Sequence, residues 1–156
     1  MPKARCKETP GICACIMLRK LYRGKLHFME ATERIGWIVM TGNDIKRILD
    51  CEVVCGTEHL DKEIHTACGS DMMSDVLAYV KDQSVLLTGL VNCQVIRTAD
   101  MMDMLCVIFV RNKRPDADMV KLAEERGIAL LVTSHRMFTA CGLLWENGLR
   151  GGSGCQ

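Results

Sequence analysis

The chain has 156 residues, of which 49% are hydrophobic, 25% charged and only 4% aromatic. That length suits one domain with a single core, which must be aliphatic and sulfur-rich because aromatics are scarce. A formal net charge of +1 points to neither nucleic acid nor a membrane surface, and no run of about 18 apolar residues offers a spanning helix.

Residues 1–39 stand apart. They carry eight Lys/Arg against three Asp/Glu, a charge of +5, whereas the remainder carries twelve against sixteen, a charge of −4. With Pro2, Pro10 and the cluster Arg19, Lys20, Arg23 and Lys25, they read as a basic N-terminal extension, poorly ordered or lying upstream of a true start at Met40. Two other readings stay open. One is a transit leader, opposed by Glu30 and Glu33; the other is a flexible arm that docks on an acidic partner or on the acidic remainder.

From residue 40 to 150 the pattern alternates regularly. "NDIKRILD" predicts a short helix with Asn43 as N-cap and Ile45, Ile48 and Leu49 on one face. "CEVVCG" and "EIHTACG" predict two short strands. "SDMMSDVLAYVK" predicts a helix capped by Ser70 or Asp71, with Met72, Val76, Leu77 and Val80 as its apolar stripe. "SVLLTG" is a continuous apolar run, as expected of a strand buried on both faces. "NCQVIRTADMMD" follows as a helix with Asn92 as cap and Val95, Ile96, Ala99 and Met102 inward. "MLCVIFV" is a strand and "RNKRP" a polar loop. "DADMVKLAEERG" is a helix with acids in its first turn and Gly127 past its end. "IALLVT" is a fifth strand, and Ser134 caps a last helix that Gly148 closes. Residues 151–156 read as a flexible tail. Strands alternating with helices imply an α/β fold, a three-layer α/β/α sandwich around a largely parallel sheet of about five strands.

Ten cysteines do not make a disulfide scaffold here. Cys51, Cys55, Cys68, Cys93, Cys106 and Cys141 sit in or beside apolar periodic segments, where a free thiol acts as a small hydrophobe. The apolar "ICACIML" is too short for a secretory signal, so a reducing cytoplasm is expected. There is no CxxC, and neither Cys13-Ala14-Cys15 nor the Cys51/Cys55 spacing supplies a zinc framework. No metal and no cofactor is expected.

The stretches "DIKRILDCEVVCG", "LDKEIHTACGSDMMSDVLAYV", "LLTGLVNCQVIRTADMMD", "VIFVRNKRPD" and "GIALLVTSHRMFTACGLLWENGL" together resemble a stand-alone DRTGG-domain protein. The family is similar to the N-terminal domain of HPr kinase/phosphorylase and also occurs beside CBS domains and in certain pyrophosphatases. The resemblance implies a regulatory or dimer-forming module. The five residues that name the family do not occur here as a string. "TGLVN" stands at the strand–turn position where a Gly-Asp-Arg would fall, so no role of the named Asp and Arg carries over. The kinase activity of HPr kinase is not implied either, since the chain has no Walker sequence.

In doubly wound sheets ligands bind beyond the carboxyl ends of the strands. Four loops qualify: Gly69-Ser70-Asp71, Thr88 to Asn92, Arg111 to Arg114, and Thr133-Ser134-His135. Side by side they would form a polar rim suited to a carboxylate or phosphate. The candidate ligand-binding residues are Asp71, Ser74, Thr88, Gly89, Asn92, Arg97, Arg111 and Lys113. The bland alternatives are a turn plus an N-cap for Thr88, Gly89 and Asn92, a solvated loop for the cations, and helix capping for Asp71. Cys93 occupies a first helical position, where a thiol can have a lowered pKa, so it is a candidate reactive thiol.

No catalytic set emerges. The leading expectation is a non-catalytic regulatory, ligand-sensing or protein-interaction module. It would be a homodimer, with a small anionic ligand or a partner protein encoded elsewhere. The alternative is an enzyme or binding protein acting on a small phosphorylated or carboxylate ligand at the rim. A redox or metal-handling role is prompted only by the cysteine count.

Overall fold

The computed structural model describes residues 39–79 and 84–152. By its internal contacts the chain divides into units 1–36 and 37–156, and all described residues belong to the second. The basic extension, Val80 and the tail beyond residue 152 lie outside the described residues.

A capping box opens the fold. β1 (Met40–Thr41) runs into α1 (Gly42–Ile48). Thr41 Oγ1 accepts from the Asp44 backbone N–H (3.2 Å), while the Asp44 carboxylate accepts from the Thr41 N–H (3.0 Å). Thr41 is therefore the N-cap, not Asn43, whose side chain instead donates to Asp61 (2.8 Å). β2 (Glu52–Cys55) and a 3-10 turn (Thr57–His59) follow. A Cβ on Gly42 would come within 2.9 Å of Leu60, so only glycine lets α1 rest on that segment. The predicted strand over "EIHTACG" breaks at His65. Its first part, β3 (Glu63–Ile64), pairs antiparallel with β1, and its second, β4 (Thr66–Gly69), joins the main sheet.

The rest alternates as the sequence predicts: α2 (Met73–Tyr79), β5 (Ser84–Thr88), α3 (Cys93–Met101), β6 (Cys106–Phe109), α4 (Ala117–Arg126), β7 (Ala129–Val132) and α5 (Met137–Glu146). The main sheet has order β2-β7-β6-β5-β4. Its β4 to β7 are parallel and β2 is antiparallel on β7.

Every residue of β5, β6 and β7 is buried, because helices cover both faces of the sheet. Val85, Leu87, Ile108 and Leu131 pack with Ile45 and Leu49 from the α1 side and with Ala140 and Leu144 of α5. Leu86, Val107, Phe109 and Leu130 pack on the opposite layer, with Val76 of α2, Ile96 of α3 and Met119 of α4. The sheet is thus the middle of three layers. β4 is an edge strand, and the chain after α5 lies along it: Ala67 N–H donates to Arg150 O (2.9 Å).

Two further helix starts differ from expectation, each because polar side chains ahead of the helix are engaged in other hydrogen bonds. Ser70 Oγ accepts from Met72 N–H (3.0 Å) in a tight turn and Asp71 points away, so α2 begins only at Met73. The buried stripe becomes Met73 and Val76, and Met72 and Leu77 are exposed. At the last helix Thr133, not Ser134, is engaged. Thr133 Oγ1 donates to Leu49 O (2.7 Å) and accepts from His135 N–H (3.3 Å). α5 then starts at Met137, with Arg136 at the N-cap position and no side-chain cap.

Candidate functional site

The strand order brings three loops together at the carboxyl end of the sheet. β4, β5 and β6 are neighbours in parallel register, with Gly69 opposite Leu87 and Thr88 opposite Phe109. The β4–α2, β5–α3 and β6–α4 loops therefore leave side by side. β6 leads to α4 on one face and β7 to α5 on the other, a divergence that can leave a crevice. Here it is laced shut: Arg111 N–H donates to His135 O and Asn112 N–H to Thr133 O, both at 2.9 Å.

That lacing sets the conformation of the basic loop. Arg111 (φ +62°) and Asn112 (φ +54°) are both left-handed, and Lys113 N–H donates back to Val110 O (3.3 Å). Two central residues of positive φ make a turn of the type I′ class, costly for side chains other than glycine by about 1 kcal/mol or more each. From this turn both cations reach the neighbouring loop. Lys113 Nζ donates to Gly89 O (2.5 Å), and the Arg111 guanidinium lies against Gly89 so closely that a Cβ there would sit 1.8 Å from Arg111 Nη2. Glycine at position 89 is required for space beside that guanidinium.

Asp71 completes the cluster. Its Oδ1 accepts from Gly89 N–H (2.5 Å) and from Thr88 Oγ1 (3.0 Å), and its Oδ2 lies 3.5 Å from Arg111 Nη2. Thr88 Oγ1 in turn accepts from Leu90 N–H (3.1 Å), so the fully buried threonine is both donor and acceptor. The Gly89 N–H holds the Asp71 carboxyl below the usual range, with help from the Thr88 hydroxyl, Arg111 and Lys113 and against partial desolvation.

Five of the sequence candidates thus meet: Asp71, Thr88, Gly89, Arg111 and Lys113. Asn92 does not join them; its side chain accepts from Val95 N–H (3.2 Å) as the cap of α3. Ser74 on α2 and Arg97 on α3 are exposed, with no hydrogen bond or ion pair to the cluster among the described residues. Arg114 is engaged elsewhere, in a two-pronged pair with Glu52 (2.9 and 2.5 Å). Cys93 sits half-buried at the first position of α3, against the α2–α4 layer. Among the described residues no three His, Cys, Asp or Glu side chains converge as metal ligands. Asp71 was legible as a candidate but not as the centre of the cluster. The missing signal was strand order, which alone sets residue 71 beside residues 88 and 89.

A three-layer α/β/α domain with one polar cluster where parallel strands end defines the class. The DRTGG domain profile matches residues 44–146, about two thirds of the sequence, and the chain belongs to the DRTGG domain family. Among solved structures it is similar to the CBS and DRTGG domains of the regulatory region of Clostridium perfringens pyrophosphatase, a structure complexed with the activator diadenosine tetraphosphate. The likeness has a TM-score of 0.61 at 15% identity and covers 82% of this chain. This chain spans 61% of that one, and at such identity the likeness concerns the fold. No curated protein matches the chain.

Proposed function

We propose that this protein is a non-catalytic regulatory module that senses a small anionic ligand at the carboxyl rim of its parallel sheet. The observation that carries the reading is the seating of Arg111 and Lys113 on Gly89, next to the Gly89 N–H and the Thr88 hydroxyl. A guanidinium, an ammonium, a backbone N–H and a hydroxyl converging from two loops form the donor set that a phosphate or carboxylate uses. Membership in the DRTGG family supports a regulatory role. So does the fold likeness to a pyrophosphatase regulatory region solved with a polyphosphate activator. The Asp71 carboxyl, held below its usual range by the Gly89 N–H, is poorly matched to general-base work near neutral pH.

The reading extends to a cytoplasmic homodimer. All six described cysteines are free thiols, which suits a reducing compartment. Phe138 is 91% exposed and Trp145 59%, seven residues apart on one side of α5, with Gly142 leaving open space between them. A second copy, offering its own aromatics to that notch, is the proposed occupant.

Titration with diadenosine tetraphosphate and inorganic pyrophosphate, read by thermal unfolding, tests the ligand reading. Saturable stabilisation is expected, about 2.7 kcal/mol at a hundred times the dissociation constant, and Arg111→Ala removes it. Turnover of the ligand would establish an enzyme instead, and an unchanged melting point with every anion would overturn the reading.

A further inference from the structure

We infer that Asp71 is a built-in competitor for the anion site, a carboxylate that occupies the ligand's donors in the free protein and is expelled when a phosphate group binds. The inference rests on the reading above of the rim as an anion site. It adds how that site is held closed and how occupancy is passed to the fold.

Asp71 has no local reason to lie where it does. It does not cap α2, which begins two residues later, and the Ser70 hydroxyl already closes the turn before that helix. Its partners are instead 17, 18 and 40 residues away: the Thr88 hydroxyl, the Gly89 N–H and the Arg111 guanidinium. These are the groups that would receive an incoming anion. One carboxylate oxygen lies on the N–H and the hydroxyl together, and the other faces the guanidinium. The protein's own carboxylate therefore stands where one edge of a phosphate would lie.

The two occupants exclude each other. A single N–H cannot serve two anions, and a phosphate beside an ionised carboxylate meets like-charge repulsion. With Asp71 seated, the group of Asp71, Arg111 and Lys113 carries one net positive charge; with Asp71 turned out, the cations present two. Turning out is sterically cheap, since the Asp71 side chain is 54% exposed and the Arg111 side chain 47%. It needs no cavity. Asp71 stands two residues before α2, whose Met73 and Val76 pack on the layer with α3 and α4. Release of Asp71 therefore loosens the β4–α2 connection at the edge of the sheet, and the ligand's differential contact with the two states shifts the balance between them.

The test uses the full chain and inorganic pyrophosphate. Calorimetric titration compares the wild type with Asp71→Asn and Asp71→Ala, and amide exchange follows peptides spanning residues 70–72 and residue 89 in the wild type. Both variants are expected to bind about tenfold tighter or more, which corresponds to about 1.4 kcal/mol. Saturation should quicken exchange at 70–72 while slowing it at Gly89. Equal or weaker binding by both variants would overturn the competitor while leaving the anion site standing. So would unchanged exchange at 70–72 in saturated wild type, a readout that needs no variant to fold. If neither wild type nor variants bind pyrophosphate or diadenosine tetraphosphate, the anion site fails and the competitor fails with it.

Discussion

Gly89 shows how one residue can have two sufficient reasons to be where it is. A strand–turn–helix pattern explains a glycine there through turn chemistry, but the closer demand is the guanidinium pressed against it. Gly89→Ala should therefore leave the fold intact, within about 1 kcal/mol by thermal unfolding, because the clash falls on the flexible end of a side chain. Arg111 would swing out of its seat, and the stabilisation by pyrophosphate should fall with it. The thiols sort by environment in the same way. Burial pushes the Cys51 thiol up to about 12 and raises the fully buried Cys106 as well, so neither supplies thiolate near neutral pH. Half-buried Cys93 should be alkylated well before both in native protein, as peptide mapping of iodoacetamide-treated samples would show. Labelling of Cys51 or Cys106 first would contradict this ordering. Of the candidate site, the residue types and the loops were legible, and the pairing of Asp71 with Thr88 and Gly89 was not. That pairing depends on contacts between segments far apart in the chain.

At the scale of elements, what was legible is what local chemistry decides. Asn92 caps α3 through a bond to a residue three positions on, and Gly127 ends α4 in a left-handed conformation (φ +65°); Asp116, expected in the first turn of α4, is its N-cap. The continuous apolar run of β5 likewise announced a strand buried on both faces, and the structure adds that β6 and β7 are buried as completely. Helix starts depart from the local pattern where a neighbouring polar side chain has a distant partner, as at Thr133 beside Ser134 and at Asp71. Alanine substitutions separate the two situations. Thr41→Ala removes a capping-box acceptor and should cost about 1 kcal/mol in denaturant unfolding. Ser134→Ala, at the position the sequence favoured as a cap, should be close to neutral, because no hydrogen bond of its side chain holds α5. A loss at Ser134 as large as that at Thr41 would show that α5 has a cap after all.

At the scale of the whole molecule, fold class followed from alternation, but strand order had to come from the structure, and strand order decides where function can sit. Because β4 to β7 are added in sequence order, α2, α3 and α4 share one face, and among the described residues α5 and α1 cover the other. α5 is thus a helix with one side against the sheet and the other bearing Phe138 and Trp145 in water. Arg150 lies over the Trp145 ring at 4.3 Å, which shields part of that indole and leaves Phe138 as the more exposed ring. If two copies associate through this face, Phe138 is the side chain whose loss they feel most. Phe138→Ala should move the protein from dimer to monomer in light scattering coupled to size exclusion. The monomer's unfolding should change by less than about 0.5 kcal/mol, since the ring buries almost nothing within one chain. Wild type that remains a monomer at high concentration, or a variant that still dimerises with unchanged affinity, would remove α5 as the self-association face. The anion rim would be untouched by either result, because it lies on loops that α5 does not supply.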